Sequence, residues 1–230
     1  MFALYCSIKF RRNEIMKKAL KIILPLAILG FAYMLYDGIM APERFSKERQ
    51  AREAEVVQRL KDIRSAQQAF KRVHQRYVAS FDTLIAFVMN DSLTYERAIG
   101  SDDDSLAVAQ GKVTREKFKV AVKDTAFVVV NSKDKALRER KLTDEEIMNL
   151  RYIPFSNNTE FIMDAAFLTT ESQVVIPVFE AKAPYITFLD TIKYRQDVIN
   201  LLDDRKRTER YKGLKVGSLT ESTNDAGNWE

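Results

Sequence analysis

The sequence has few of the residues that build disulfides and transition-metal sites. Its 230 residues include one cysteine and one histidine, which excludes a disulfide framework and a zinc site made of thiolate and imidazole ligands. Seven glycines and five prolines are too few for a collagen-like or linker-rich protein. The chain is 46% hydrophobic and 30% charged, a balance that predicts one folded core, or two small ones, beside a membrane segment.

Sequence patterns for catalysis are missing as well. A serine or cysteine triad needs a histidine, and the one histidine, His74, falls in a predicted helix close to the membrane. The GxSxG, Walker and GxGxxG patterns do not occur. Acidic residues are plentiful, but nothing marks two of them as the carboxylate pair of a glycosidase. We therefore expect a non-enzymatic protein with no catalytic residues, no cofactor and no metal.

The excess of positive charge is confined to the start of the chain. Residues 1–21 hold six of the 37 basic residues and one of the 32 acidic residues, so they carry the whole formal charge of +5. The rest of the chain holds 31 residues of each sign. A nucleic-acid surface needs its basic excess in the folded part, so we expect no nucleic-acid partner. The basic segment instead indicates membrane topology.

A candidate transmembrane helix follows, over residues 22–41, with Asp37 as its one charge. Twenty helical residues span about 30 Å, the thickness of the hydrocarbon core of a bilayer. Lys21 is placed to reach one interface, while Tyr33 and Tyr36 suit an aromatic belt. All six early basic residues precede the span, so we expect an inner-membrane protein with a cytoplasmic amino terminus and a periplasmic domain.

A cleaved signal peptide is the alternative to this anchor. Residues 16–18, Met-Lys-Lys before an apolar stretch, have the shape of such a signal, and Met16 could itself be the translation start. Ala41 is a poor cleavage site because Pro42 follows it and Ile39 stands two positions before it. We therefore favour an uncleaved anchor.

A long stalk helix is predicted over residues 42–79. Pro42 suits the first turn of a helix, and residues 43–77 contain neither proline nor glycine. Side chains that are mostly apolar recur at alternating spacings of four and three along one face. That face comprises Val56, Leu60, Ile63, Gln67, Phe70, His74 and Tyr77.

Two kinds of surface are open as the neighbour of this stalk face. It packs either on the sheet of the chain's own domain, which we favour, or on partner helices. A partner is considered because residues 47–55 carry many charges and almost no apolar stripe. His74 lacks a second histidine or cysteine to share a metal, so we interpret it as structural. The candidate partner-binding residues are Val56, Leu60, Ile63, Phe70 and Tyr77.

The segment IRSAQQAF at residues 63–70, followed by HQRYVASFDTL at 74–84, resembles the shoulder of type IV pilins and type II secretion pseudopilins. In those families a membrane-anchored helix ends in an aromatic residue, a turn with Arg-Tyr and a short second helix, and it packs on an antiparallel sheet. The resemblance covers roughly residues 56–88. The chain departs from the prepilin processing site, since Gly30-Phe31 lies deep in the apolar span and the fifth residue from Phe31 is Leu35 rather than glutamate.

A second resemblance concerns the end of the chain. Residues 213–221 and 227–230, GLKVGSLTE and GNWE, are similar to the tail of a family of uncharacterised single-span envelope proteins of diderm bacteria. This resemblance implies a membrane-anchored envelope protein and carries no activity.

The first part of the exported domain, residues 80–230, predicts a helix, a polar loop and a strand. Ser80 is a natural N-cap for the helix, and residues 91–111 are polar. We interpret Asp102, Asp103 and Asp104 as part of a solvated loop or of a helix start, because calcium needs six or more oxygen ligands and no EF-hand spacing is present. The alternation from Lys117 to Val122 predicts a half-buried strand with Phe118, Val120 and Val122 turned inward.

The second part predicts a hairpin between two helices. Thr143 and Glu146 have the spacing of a capping box. Residues 160–169 and 173–181 are β-rich runs on either side of a Thr-Glu-Ser turn. Pro177 demotes its strand to an edge or a bulge, where a partner strand could add or a loop could cover it. A helix is expected from Tyr194 to Arg207.

Together these features predict an α+β fold in which a long N-terminal helix packs on a small antiparallel sheet, as in pilins. The predicted segments are a cytoplasmic basic segment (1–21), a transmembrane helix (22–41), a stalk helix (42–79) and a periplasmic domain (80–230). We expect the lipid bilayer and other envelope proteins as partners, in a multi-subunit membrane assembly. The alternative is a membrane-tethered module that binds a peptide or a glycan.

Overall fold

A helix of 73 residues, α1, runs from Phe2 to His74 in the computed structural model, which describes residues 2–99, 114–127 and 141–230. The chain divides into two units, Met1–Arg49 and Gln50–Glu230. Pro42 does not begin a separate helix, as the sequence suggested, but lies inside α1. A proline's fixed φ is helical, so its cost there is a lost backbone hydrogen bond and a local clash.

The first unit contains a helical stretch that is long and apolar enough to cross a membrane, and none of that stretch is buried. Its large apolar side chains are exposed by 55–71%. They are Ile23, Leu24, Leu26, Ile28, Leu29, Phe31, Tyr33, Met34, Leu35, Tyr36 and Ile39. A helix that is apolar all round is stable only inside a protein core or a membrane.

In the second unit, α1 ends at His74 because Gln75 adopts a left-handed conformation, with φ at 56°. The short helix α2, Phe81–Asn90, follows as predicted, although Ser80 occupies the N-cap without a side-chain hydrogen bond. Both helices supply a buried apolar cluster. Its members are Ala66, Ala69, Phe70, Leu84, Phe87, Val88, Leu93, Val122, Phe127, Ile147 and Leu150.

An antiparallel pair of strands, β1 (Ser92–Ile99) and β2 (Thr114–Ala121), forms the first sheet. The expected polar loop at residues 91–111 is therefore wrong over its first part. Leu93 is buried in the core cluster. This burial depends on residues distant in the sequence, so the polar composition of residues 91–111 did not reveal it. The three consecutive aspartates predicted in that loop lie outside the described residues.

In the second strand of this pair, Lys117 and Lys119 are exposed as predicted and Val120 is half-buried, but Phe118 does not turn inward. Phe118 is 45% exposed, and its ring stacks on Tyr95 at 5.9 Å between centroids. Val122 is buried, but it begins a single helical turn, α3 (Val122–Thr125), rather than ending the strand. A two-stranded ribbon has too little surface for a buried inner face along its whole length.

The predicted capping box is confirmed. Helix α4, Asp144–Met148, is capped by Thr143. The Thr143 side chain accepts a hydrogen bond from the Glu146 amide, and the Glu146 carboxylate accepts one from the Thr143 amide. A 3₁₀ turn, Asn149–Arg151, continues the chain. Buried Ile147 and Leu150 attach this short segment to the core cluster.

A three-stranded antiparallel sheet has the order β3 (Ile162–Thr169), β4 (Val175–Pro184), β5 (Gly213–Gly217). The predicted hairpin of β3 and β4 is confirmed, with Thr169 opposite Val175 at the turn. One face of this sheet is buried, and the Phe179 ring lies 4.8 Å from that of Tyr77. The buried residues of this face are Phe179, Ala181, Ala183, Leu214 and Val216.

Two helices connect β4 to β5. One turn, α5 (Tyr185–Phe188), is buried at Tyr185 and Phe188. Helix α6 spans Arg195–Arg207, within one residue of its predicted start, and ends on three basic residues that favour its negative dipole end. The second unit is thus an α+β fold in which an N-terminal helix packs beside small antiparallel sheets.

Candidate partner-binding surface

The predicted stalk face lies inside the second unit. Val56, Leu60 and Ile63 are 0% exposed, while Phe70 and Tyr77 are 4% and 6% exposed. Their side chains are thus occupied within the chain, in the core of its own domain. A partner-binding role for this face stays a prediction.

Gln67, the polar residue in that stripe, is also fully buried and clamps the turn that follows α1. Its Nε2 donates to the Val78 carbonyl at 2.5 Å, and its Oε1 accepts from the Val78 amide at 3.1 Å. Such a two-way bond satisfies both groups of a buried amide. His74 is exposed at the helix end, and its ring lies 4.3 Å from that of Phe70.

The predicted membrane-anchor residues all lie on the exposed part of α1. Tyr33 and Tyr36 are 71% and 58% exposed, and Lys21 is exposed as well. Asp37, the one charge in the predicted span, accepts a hydrogen bond from Arg44 at 3.0 Å. That pairing lowers the cost of placing a carboxylate near a bilayer interface.

The C-terminal segment folds back over the second unit. Asn228 pairs with the backbone of β5, donating to the Gly213 carbonyl at 2.9 Å and accepting from the Lys215 amide at 3.1 Å. The Trp229 ring packs against Gly227, where an added Cβ would come within 2.3 Å of the ring. These contacts fix the end of the chain to the sheet.

Polar contacts also attach this segment to α1. Tyr77 donates to Asp225 at 2.6 Å, and burial, with a smaller contribution from Asp225, raises the pKa of the Tyr77 hydroxyl. Arg64 donates to the Glu230 carboxylate at 2.7 Å, which lowers the pKa of Glu230. Arg64 also donates to the Asp225 carbonyl, and Gln68 donates to the Asp225 carboxylate, both at 3.2 Å.

A buried carboxylate lies on the other face of the same sheet. Glu180 is 7% exposed, with its oxygens 2.5 Å from the Lys182 ammonium and 3.2 Å from that of Lys215. Burial, with a smaller contribution from Glu180, raises the pKa of Tyr211. Two partners satisfy this charge, so the cluster is a cross-strand ion-pair network. Among the described residues, no three His, Cys, Asp or Glu side chains group as metal ligands.

One side of β4 is only half paired. β5 pairs with Glu180–Pro184 and ends at Gly217, whose φ of +72° turns the chain away. Pro177 lies in the unpaired half, opposite Phe167 of β3. The prediction that Pro177 demotes its strand to an edge is therefore wrong for β4 as a whole, which is the central strand. The physical basis holds locally, because the nitrogen of Pro177 costs no ladder bond where no strand follows.

A groove separates this half of β4 from the C-terminal segment. Its volume is about 220 Å³, and one wall is the strand from Ile176 to Val178. Ser218 and residues 221–225 form the other wall, and Lys71 of α1 also lines it. The loop that the sequence analysis offered as an alternative cover for this edge is thus the segment after β5.

In the part of the chain that the structure describes, no strand pairs with the outer side of β3. Among the described strands, β3 pairs only with β4, so one row of its backbone amides and carbonyls faces outward. Residues 162–169, IMDAAFLT, contain no proline or glycine and one charge, Asp164. Long edges of this composition favour the addition of another strand.

The hairpin that carries this edge is apolar at its tip. Ile162 and Phe167 of β3 are 57% and 61% exposed, and Val174 and Val175 are 55% and 60% exposed. Between residues 165 and 176 the one charge is Glu171, although nearly a third of the whole chain is charged. An exposed apolar patch of this kind is typical of an interaction surface.

The outer edge of β3 was not predicted, because Pro177 was taken as the mark of an edge strand. Around Ala166 the residues of β3 are apolar on both faces of the strand, and this pattern is visible in the sequence. Which strand lies at the edge depends on the pairing of β4 with β5, between residues about thirty positions apart. A search of family models, of curated proteins and of solved structures finds no match to the chain. The resemblance to pilins and pseudopilins therefore stays a prediction.

Proposed function

We propose that the chain is a non-enzymatic, single-span subunit of an envelope-spanning membrane assembly of pilin-like or secretion-like character. Its second unit would stand in the periplasm, held by an anchor over residues 22–41 with the amino terminus in the cytoplasm. The proposal assigns no catalytic residue and no cofactor, and its partners are the lipid bilayer and other envelope proteins.

The observation that supports it best is the row of exposed apolar side chains on α1, from Ile23 to Ile39. Eleven large apolar side chains in water would be strongly unfavourable, at about 25 cal/mol for each Å². A bilayer removes that cost. The basic excess of residues 1–21 gives the orientation.

A second observation supports the assembly. Among residues 2–99, 114–127 and 141–230, no strand pairs with the outer edge of β3, whereas the stalk face is already covered. A subunit needs at least one surface that its own fold leaves open. The outer edge of β3 meets that requirement.

Extraction from the host in mild detergent, followed by native mass measurement and mass spectrometry of the companions, tests the proposal. We expect a particle far above the 26.6 kDa of one chain, with defined companion proteins. A monomer without companions would overturn it. Phe118 is an exposed aromatic residue on the other sheet. A chain with Phe118→Lys should give the same particle.

A membrane-tethered module for a peptide or a glycan is the second candidate. The groove of about 220 Å³ between β4 and residues 218–225 favours it. A ligand that fills this groove should raise the melting temperature of the purified chain, by an amount that grows with the logarithm of ligand concentration above its Kd. A library of short peptides and oligosaccharides that gives no such shift, beside a large native particle, decides against this candidate.

A further inference from the structure

Two independent observations show which backbone groups of β3 face outward. At the hairpin turn the Thr170 amide donates to the Val174 carbonyl at 2.9 Å, so this pair is hydrogen-bonded. Bonded and non-bonded pairs alternate in an antiparallel ladder. Pro177, which has no amide hydrogen, stands opposite Phe167, and this pair must be non-bonded.

The alternation divides β3 into two sets of residues. The even-numbered residues, among them Asp164 and Leu168, direct their backbone groups to β4. Met163, Ala165 and Phe167, with Thr169, direct theirs to the open side. No proline interrupts that outward row.

We propose that β3 binds the β3 of a second copy of this chain, antiparallel about a two-fold axis at Ala166. This deepens the proposed function by naming one partner of the subunit, and it rests on that proposal. The result is a continuous six-stranded sheet in which each chain contributes three strands. Such an interface is isologous, because each residue meets the partner that meets it in return.

The outward row and the position of Asp164 restrict the register of the two strands. Only registers that place odd residues opposite odd residues join the two sets of outward groups. With the axis at Ala165, the two Asp164 side chains would be diagonal neighbours, about 7–8 Å apart, and would repel each other. With the axis at Ala166, Asp164 stands opposite Leu168, and the two carboxylates are separated by about 13 Å along the strands.

Size complementarity supports the same register. It places the exposed Phe167 of each copy opposite Ala165 of the other, a large side chain beside a small one, on one face of the joined sheet. Ala166 of one copy meets Ala166 of the other as a non-bonded pair, in which the Cα atoms approach to about 4.5 Å. Residues 163–169 thus pair throughout.

Asp164 regulates access to this edge. Its Oδ1 accepts a hydrogen bond from the Ala165 amide at 2.8 Å, and this amide is one of the outward donors. Pairing with a second copy requires Asp164 to release that amide. The substitution Asp164→Ala should therefore raise the extent of pairing.

The test is disulfide formation in the full-length chain, purified in detergent, with Cys6→Ser as background. Ala166→Cys places two thiols at the axis, within the Cα separation of about 4.4–6.8 Å that a disulfide needs. Under mild oxidation we expect a covalent dimer, formed on the order of tenfold or more faster than from Phe118→Cys, because paired thiols have a high effective concentration. Phe118 is the control because it is exposed, like Ala166, but lies on the other sheet.

A blocking variant keeps the proposal falsifiable. Phe167→Lys in the Ala166→Cys background should reduce the rate to that of the control while the melting temperature is retained. A rate for Ala166→Cys no higher than for Phe118→Cys would overturn the dimer. If that happens while the native particle still carries companion proteins, the proposed function stands and only the self-pairing fails. If the cross-link forms fast but the native particle carries no companion proteins, the self-pairing stands and the proposed function fails.

Discussion

Two parts of the same helix treat apolar side chains in opposite ways. From Ile23 to Ile39 they are exposed by more than half, whereas Val56, Leu60 and Ile63 are completely buried. The second part buries its stripe against the chain's own domain, and charged residues occupy its other faces. The first part is apolar all round. Under the proposed function, this difference means that one helix serves two environments, a protein core and a bilayer.

The largest effect is expected from an acidic residue in each part. Ile63→Asp places an unpaired charge at a fully buried site, which should destabilise the second unit by more than about 4 kcal/mol. Loss of the cooperative thermal transition, followed by circular dichroism, checks this. A chain that still folds would contradict the packing of α1.

The matched change in the exposed part is the pair Leu26→Asp and Leu29→Asp. Each costs about 3 kcal/mol at the centre of a membrane span, so membrane retention should fall while the melting transition of the second unit is unchanged. Fractionation and calorimetry measure the two effects separately. If the second unit loses its melting transition while the chain stays in the membrane, the exposed part of α1 serves folding and is not the anchor.

A smaller effect is expected at Gln67, the buried polar residue in the stripe. Gln67→Leu removes both bonds to Val78 and leaves its amide and carbonyl unpaired, which should cost about 2–3 kcal/mol. Gln68→Leu is the control, because Gln68 is exposed and makes one bond at 3.2 Å, to Asp225. If both variants lower the free energy of unfolding in urea by the same amount, the hydrogen bonds between Gln67 and Val78 have no special role in stability.

The attachment of the C-terminal segment to α1 should respond to alkali. The pKa of Tyr77 is raised in the folded chain, so its contribution is complete below the ordinary tyrosine value near 10.0 and is lost as the pH rises through the raised pKa. Tyr77→Phe should cost about 1 kcal/mol at neutral pH and flatten this alkaline loss. Identical pH profiles for both chains would contradict the role of the hydroxyl.

The smallest effect concerns the ion pair of Arg64 and Glu230. The pKa of Glu230 is lowered, so its contribution is complete at neutral pH and is lost as the pH falls below the ordinary glutamate range through the lowered pKa. The Glu230 side chain is 43% exposed, so the effect of Glu230→Gln should stay below about 1 kcal/mol. A larger loss, or one confined to high pH, would contradict this assignment.

Local chemistry explains which elements could be predicted from the sequence. The capping box at Thr143, the β3–β4 hairpin and helix α6 depend on residues close in the chain, and all three were expected. The strand β1 was not, since Leu93 is buried by contacts with α1 and α2. The outer edge of β3 was missed for the same reason, because edges are decided by long-range pairing.

The measurement that tests the central claim most directly is carbonate extraction of host membranes, followed by protease treatment of intact spheroplasts. We expect the uncleaved chain to stay in the membrane pellet and protease added from outside to digest its second unit. A chain recovered in the soluble fraction after cleavage near Ala41, or a second unit protected by the intact membrane, would contradict the anchor and its orientation.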